Sequence, residues 1–539
     1  MAVNSLKIKI VLPALGIMVL MGVSCRKYLY KGPIDSTYGK AFWASQTSVE
    51  QAALAMYGQL RSNVRADNSF FINGDLASGN FLAANNQWNL KPATVNNPYA
   101  ANKPYNFSYV PYLEGSLQNW SRYYRLIAQA NLILQNVPQM PVTLFDNAGV
   151  RDAYLGEALF MRAFAYFYMT RVWGDPVYVT KTFNDVDYGN IPPVARTAES
   201  SVLDSCLSDL KKAAASLSFA GSDPTKSVRA NKGSVYALMA HIYAWKHQYD
   251  SAHAYCQQVI TNGGYSLEPM VTYKNIWNGQ TSQESIFELV MTYNANDPNF
   301  KGGGDWAEAQ FGFFGQFVKG TLVNNRTGAV FVTNRNNCWI SPLGGFVDKT
   351  FDTTADARYK ADFIRIPASG GDNAGYMLLK YSNFAYQQPG PTPQTSTHPY
   401  INNDLVIFRL SDIYLLDAEA LAGANNLTGA ANELAFTEQR AGIKSYLAPT
   451  TQLDMFNEIV AERGRELIGE GQWFYDFIRT NYANNHKWFF DYGYSNGGHP
   501  ERVDSVHKGY YWPLDMTTLF PYDNLLTQNP WWSVNSGIR

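Results

Sequence analysis

Residues 156 to 176, GEALFMRAFAYFYMTRVWGDP, carry two adjacent apolar rows at spacings of three and four. Ala158, Met161, Ala165, Tyr168 and Val172 form one row; Phe160, Phe164 and Phe167 form the other. A helix so patterned keeps almost no polar face and has to be enclosed by other elements. Gly174 and Pro176 then stop it. The preceding stretch, WSRYYRLIAQANLILQNVPQMP, repeats the logic with Ile127, Ala130, Leu134 and Val137 before Pro138. The short gap between the two predicts an antiparallel helical pair.

A further pair is written in ALMAHIYAWKHQYDSAHAYCQQVI, with Leu238 and Tyr243 before a turn at Gln248 and Tyr249, and Ala252, Tyr255 and Ile260 after it. Small alanines that let two helices approach, with an aromatic filling the groove between them, resemble a tetratricopeptide-type unit. FRLSDIYLLDAEALAGANNLTGAANELAFTEQRAGI offers another, with Ala418, Ala420 and Gly423 before the turn and Ala430, Leu434 and Phe436 after it. The fold class expected is therefore mostly α, a scaffold of tetratricopeptide-like helical pairs.

Between these helices, residues 65–118, 177–198, 263–283, 295–405 and 481–530 do not read as helix. Loops this long are uncommon in compact domains unless they serve a function or hide short strands. ESIFELVMTYN (284–294) and YMLLKY (376–381) have the alternation and branching of short strands. A helical scaffold bearing a loop-rich ligand face with a few short strands is the expectation. Aromatic residues make up 15% of the 539-residue chain, enough to supply both a core and stacking platforms in those loops.

At the start, Lys7 and Lys9 precede an uncharged run from Ile10 to Val23, the layout of a secretory leader. Fourteen residues at about 1.5 Å each reach ~21 Å, short of the ~30 Å hydrocarbon core, so the run predicts a leader and not a spanning helix. Gly22 and Ser24 followed at once by Cys25 resemble a bacterial lipobox, which predicts a signal peptide over 1–24 and a lipidated Cys25 as the first mature residue. Acyl chains bind at ~0.8 kcal/mol per buried methylene, so several together moor a chain without any spanning segment. The other cysteines, Cys206, Cys256 and Cys338, form no CxxC and no dense framework; one bridge is allowed and none is required. Whole-chain charge is −1, and removing Lys7 and Lys9 leaves 41 basic against 44 acidic residues, or −3. That balance gives no electrostatic reason to expect nucleic acid.

Seven segments together resemble the SusD/RagB family of lipid-anchored nutrient-binding proteins. They are SCRKYLYKGPIDSTYGKAFWASQTSVEQAALAMYGQLR, WSRYYRLIAQANLIL, GEALFMRAFAYFYMTRVWGDP, RANKGSVYALMAHIYAW, FRLSDIYLLDAEAL, IVAERGRELIGEGQWFYDFIRT and YYWPLDMTTLFPYDNLLTQNPWW, in the family's order from residue 24 to residue 532. Length alone would suit three or four domains. The resemblance implies a single domain over 25–539, with an N-terminal part at 25–230 and a C-terminal part at 280–539. It also implies four tetratricopeptide-like units tethered at the outer face of the outer membrane. The implied partner is a SusC-like TonB-dependent barrel, to which oligosaccharides, or in some members peptides, are delivered.

Glu462, Glu466 and Glu470 recur every four positions, interleaved with Arg463 and Arg465. A glycosidase needs two carboxylates facing each other across the sugar, whereas arginines at i+3 point to structural ion pairs. His241, His247 and His253 recur every six residues, about 240° apart on a helix, and so cannot share one ion from a single helix. There is no HExxH pair, no Gly-rich phosphate loop after a strand and no GxSxG elbow, so neither an enzyme nor a cofactor is expected. Sugar binding asks only for aromatic plates and polar donors. Asp75, Asn85, Trp88, Tyr99 and Tyr105 in one segment, Trp306 and Phe313 in a second, and Arg335 and Trp339 in a third are the candidates. The family places its ligand sites on loops in comparable parts of the chain, which carries over the region and not the individual residues.

Overall fold

The computed structural model describes residues 41–66, 69–78, 81–83, 117–182, 192–221, 227–279, 282–291, 313–317, 322–323, 330–331, 338, 340–342, 344–366, 375–388, 390–391, 397–445, 449–484, 506 and 508–534. Its helices in chain order begin with α1 (Gln46–Arg65), α2 (Ser69–Gly74), α3 (Ser121–Asn136), α4 (Ala148–Trp173), α5 (Glu199–Ser216), α6 (Lys232–Trp245) and α7 (Tyr249–Asn262). They continue with α8 (Gly344–Thr350), α9 (Ala357–Asp362), α10 (Leu410–Gly423), α11 (Leu427–Arg440), α12 (Gln452–Glu466), α13 (Trp473–Thr480) and α14 (Pro530–Val534).

The doubly apolar helix is α4. Asn147 caps its start by accepting from the Val150 amide at 3.1 Å, and Gly174, at φ +75°, ends it. From Tyr154 on nearly every residue is buried, including both predicted rows. The cause is visible in its neighbours: α4 packs against α3 and α5, and α1 packs against both α3 and α4. Each large apolar side chain so enclosed contributes about 1.5–3 kcal/mol. The pair α6–α7 starts from a reciprocal cap in which Asn231 and Ser234 satisfy each other's backbone amides. It stacks through α7 onto α10, and α10 pairs with α11 and rests on α12. Phe436, placed by its spacing in the groove of that last pair, is instead 46% exposed and stacks on Tyr414 at 4.3 Å.

The described strands form antiparallel two-stranded sheets. β1 (Phe81–Ala83) pairs with β5 (Ile340–Pro342), and β2 (Ser285–Leu289) with β10 (Leu405–Arg409). β3 (Leu322–Val323) pairs with β4 (Val330–Phe331), β6 (Phe363–Arg365) with β7 (Tyr376–Leu378), and β8 (Phe384–Gln388) with β9 (Thr397–Ile401). The β2–β10 ribbon is keyed to the helices by Phe160 against Phe287 at 5.2 Å and Phe164 against Phe408 at 6.3 Å. Residues 65–118 and 295–405, read from sequence as non-helical, contain α2, α8 and α9. These helices are six or seven residues long, too short to show a periodic stripe.

Cys206, Cys256 and Cys338 are free and buried. Among the described residues no helix is long and apolar enough to cross a membrane.

Candidate functional site

Three of the aromatic-rich segments are anchored at one place. β1 enters the segment holding Asn85, Trp88, Tyr99 and Tyr105, and β5 follows directly on Trp339; the two strands are paired with Ala83 opposite Ile340. The segment holding Trp306 emerges at Phe313, whose ring stacks on Phe71 of α2 at 4.5 Å. Phe317 meets Phe71 edge-on at 4.8 Å, Phe314 stacks on Tyr381 at 4.4 Å, and the Cys338 thiol donates to the Phe317 carbonyl at 3.3 Å. Offset and edge-to-face aromatic packing of this kind adds about 0.5–1.5 kcal/mol per pair beyond burial, so the base is firm. Asn85, Trp88, Tyr99, Tyr105, Trp306, Arg335, Trp339 and Cys25 themselves lie outside the described residues.

Two candidates are described, and both differ from expectation. Asp75, expected in an unstructured ligand-facing loop, is fully buried just past α2, where it accepts the Gly471 amide at 2.7 Å. Its carboxyl is pushed well up, first by burial and then by the neighbouring Glu470. Phe313, expected as a stacking platform, is buried in the aromatic base just described. Both build the floor under the segments and do not present a surface to solvent.

The carboxylate stripe is engaged elsewhere. Glu466 accepts from Arg358 at 2.9 Å, from Arg409 at 2.6 Å and from Arg440; Glu462 accepts from Arg358 at 2.6 Å and from Arg465 at 2.7 Å. Glu470, beyond the end of α12, is held by Arg409 at 2.8 Å and Lys380 at 2.7 Å. All three acids are buried. Burial alone would raise Glu466, but Arg440, Arg409 and Arg358 outweigh it and hold the group well below the usual carboxylate range. Arg463, the other interleaved arginine, turns to Asp412 and Asp476, both at 2.8 Å.

The long-range partners Arg358, Arg409 and Arg440 were not anticipated from sequence. A signal existed: Arg409 and Lys380 stand inside apolar runs, LVIFRL and YMLLKY, where a cation has to find a buried acid. The histidines are satisfied singly, His241 on Asp412, His247 on the Arg479 carbonyl and His253 on Asp417. Among the described residues no group of three or more His, Cys, Asp or Glu is arranged to hold a metal ion.

The described residues form a scaffold of paired helices that fastens its own acids internally and from whose floor the aromatic-rich segments depart. Comparison with known proteins agrees. Residues 349–532 match the model described as the SusD family, and residues 43–244 match one described as starch-binding and associating with the outer membrane. The chain belongs to the SusD/RagB family. A SusD-like protein of Formosa agariphila is 26% identical over 507 residues, covering 87% of this chain and 90% of that one. One from Bacteroides ovatus is 26% identical over 408 residues, covering 68% and 67%. Among solved structures, a SusD homologue of Bacteroides thetaiotaomicron superposes with TM-score 0.68 at 23% identity, covering 90% of this chain and 98% of that one. A laminarin-binding SusD-like protein superposes with TM-score 0.67 at 20% identity, covering 90% and 99%.

Proposed function

We propose that this chain is a glycan-binding lipoprotein of the outer membrane, moored through acylated Cys25 and facing the cell exterior, that partners a SusC-like TonB-dependent barrel and passes ligand to it. The observation that carries the reading is the shared floor: segments bearing Trp88, Tyr99, Tyr105, Trp306, Arg335 and Trp339 are anchored side by side at β1, β5 and the Phe71–Phe313 stack. A sugar ring has an apolar face for an aromatic plate and a polar rim for Asn and Arg, so such segments grip it without any group that breaks bonds. The description of the family model over residues 43–244 and the ligand of the laminarin-binding neighbour support a glycan over a peptide.

The alternative, a hydrolase on a helical scaffold, needs a free acid pair, and Glu462, Glu466 and Glu470 each have arginine or lysine partners. Isothermal titration with laminarin, starch fragments and a peptide panel tests the reading, alongside extraction in mild detergent to recover a bound barrel. Binding of a glycan that weakens in Trp88→Ala and Trp339→Ala is expected, as is loss of the acyl label in Cys25→Ser. A chain that binds nothing on the panel and extracts alone overturns it, as does steady release of new reducing ends.

A further inference from the structure

Three of the large apolar side chains that stand exposed lie on one loop, residues 515–527: Met516 at 53%, Tyr522 at 87% and Leu525 at 49% of full exposure. Pro521 on the loop is exposed too, as are Pro192 and Pro193 in the segment bonded to it. The loop is nonetheless stiffly built. Gln528 clamps its two ends, accepting the Leu514 amide and donating to the Leu514 carbonyl, both at 2.9 Å. Asp515 caps the first turn by accepting the Thr517 amide at 2.9 Å and the Thr518 amide at 3.2 Å. Asp523 accepts the Leu525 amide at 3.0 Å and the Val194 amide at 3.3 Å. Arg196 fastens the base, donating to the Thr527 carbonyl at 2.9 Å and to the Asn529 side chain at 2.8 Å. A loop fixed before it is bound spares association the cost of ordering it, and apolar side chains held out on such a loop mark a docking surface.

Charge and area select what docks. Residues 509–538 contain no Lys or Arg; their only acids are Asp515 and Asp523, and both carboxylates accept backbone amides. An anionic lipid surface draws basic side chains flanking the apolar ones, and the loop has none. A second copy of this chain meeting it loop to loop would bury too little. The three side chains together offer on the order of 300–400 Å², so two copies reach less than about 800 Å² against the ~1,600 Å² of a standard interface. A partner protein that receives the projecting tyrosine in a neutral, concave apolar pocket adds its own surface around each anchor, and Tyr and Met are residue types that such interfaces favour.

The footing of the loop points to which partner. The Asp515 amide donates to the Gln118 carbonyl at 3.0 Å, Asn119 donates to the Thr518 hydroxyl at 3.1 Å, and Trp173 donates to the Leu117 carbonyl at 2.8 Å. Residues 117–119 are where the segment bearing Trp88, Tyr99 and Tyr105 rejoins the scaffold ahead of α3. A protein seated on this loop therefore bears on the root of a ligand segment, the position expected of the protein that takes the ligand onward. We propose that Met516, Tyr522 and Leu525 are the anchor by which this chain docks into a neutral apolar pocket of the barrel that receives its ligand, an inference that rests on the partnership in the proposed function.

In the native outer membrane, with the chain full-length, Tyr522→p-benzoylphenylalanine followed by irradiation reports what lies against the loop. An adduct with a TonB-dependent barrel is expected, and none from Val271→p-benzoylphenylalanine, a similarly exposed position outside the loop. Tyr522→Ala is expected to lower recovery of the barrel in mild detergent at least about tenfold, as loss of a central aromatic anchor does. Its urea midpoint and its titration with laminarin and starch fragments are expected to match wild type. An adduct with lipid or with a second copy, equal labelling from Val271, or no adduct overturns the docking loop. Equal barrel recovery by wild type and Tyr522→Ala overturns the loop alone, whereas a wild type that recovers no barrel and a position 522 that labels none overturn the partnership as well.

Discussion

Replacing Glu466 by Gln tests whether the acid stripe is a fastening or a catalytic wall. Glu466 Oε1 accepts from Arg409 and Arg440 and its Oε2 from Arg358, all inside the protein. Glutamine keeps one acceptor and turns an NH2 group against guanidinium. Breaking a buried ion pair by removing one partner costs about 3–5 kcal/mol, mostly from the charge left behind. Here the surroundings soften that. The described residues joined by these ion pairs are the acids Glu284, Asp356, Glu458, Glu462, Glu466 and Glu470 and the bases Arg358, Lys380, Arg409, Arg440 and Arg465, six against five. Removing Glu466 leaves five against five, so the loss belongs near the lower bound, about 3 kcal/mol. Arg409→Met instead leaves six acids against four bases and takes one cationic partner from each of Glu284, Glu466 and Glu470, so it is expected to cost at least 1 kcal/mol more, about 4–5 in all.

Urea unfolding followed by tryptophan fluorescence measures both variants, with the slope unchanged if only stability moves. At roughly 2 cal/mol/K of unfolding entropy per residue, 3 kcal/mol in a chain of this size shifts the midpoint temperature by only ~3 °C, so denaturant is the sharper assay. The pH dependence has a definite sign. Glu466 titrates in the folded protein well below its ordinary value of 4.5, so its contribution is present above that value and is lost as pH falls below it. Wild type and Glu466→Gln should therefore differ most near neutrality and converge in acid. A Glu466→Gln variant as stable as wild type at pH 7, or one costlier than Arg409→Met, refutes the charge accounting. Loss in that variant of a hydrolytic activity present in the wild type refutes the structural role.

Glu433 should behave in the opposite sense. Burial, and then the charge of Asp417, push it up to about 7, and its Oε2 has no hydrogen-bond partner. A folded value above the unfolded 4.5 means stability is fully present below 4.5 and falls as pH rises through 7. Discounted for solvent screening of this half-buried group, Glu433→Gln should be about 1 kcal/mol more stable than wild type at pH 8 and equal to it at pH 4, by urea unfolding at the two values. A Cβ on Gly74 would stand 2.1 Å from the Gly471 carbonyl oxygen, whereas one on Gly58 in α1 meets nothing within 4 Å. Gly74→Ala is expected to cost about 1–3 kcal/mol and Gly58→Ala to gain about 0.5–1, and calorimetry finding the two alike would contradict the close approach of α2 to that turn.

Legibility from sequence followed the range of the interactions involved. The body of α4 was readable because the stretch from Ala158 to Val172 repeats one rule, and its end because Gly174 and Pro176 act locally. The pairs α6–α7 and α10–α11 were readable for the same reason. The ion pair between Glu462 and Arg465 was visible as an i+3 spacing, but Arg358 lies 104 residues from Glu462 and 108 from Glu466, and nothing local announces it. α9, which carries Arg358, offered only Asp356 as a cap, accepting the Arg358 amide at 2.8 Å, inside a stretch otherwise lacking periodicity. At the candidate site, sequence found aromatic-rich segments but could not tell a plate from a floor. Phe313 and Asp75 look like Trp306 and Asn85 in composition, and only the packing of α2 against residues 313–317 and Gly471 separates them.

The buried charges and the aromatic floor are one mechanical system. Apolar contacts between helices are non-directional, so a stack built on them alone tolerates small slides; guanidinium–carboxylate pairs with fixed geometry do not. Arg409 at the end of β10 holds Glu284 before β2, Glu466 on α12 and Glu470 in the following turn, and so sets the ribbon's register against the helices. The same turn continues through Glu470 to Lys380, through Gly469 to the Tyr381 hydroxyl at 2.7 Å, and through the Gly471 amide to Asp75. Tyr381 stacks on Phe314, and Asp75 ends α2 just ahead of β1. The segments that would grip a ligand therefore grow from a floor indexed, bond by bond, to the most rigidly paired part of the scaffold. This arrangement allows loop sequences to vary with ligand while their roots stay in place.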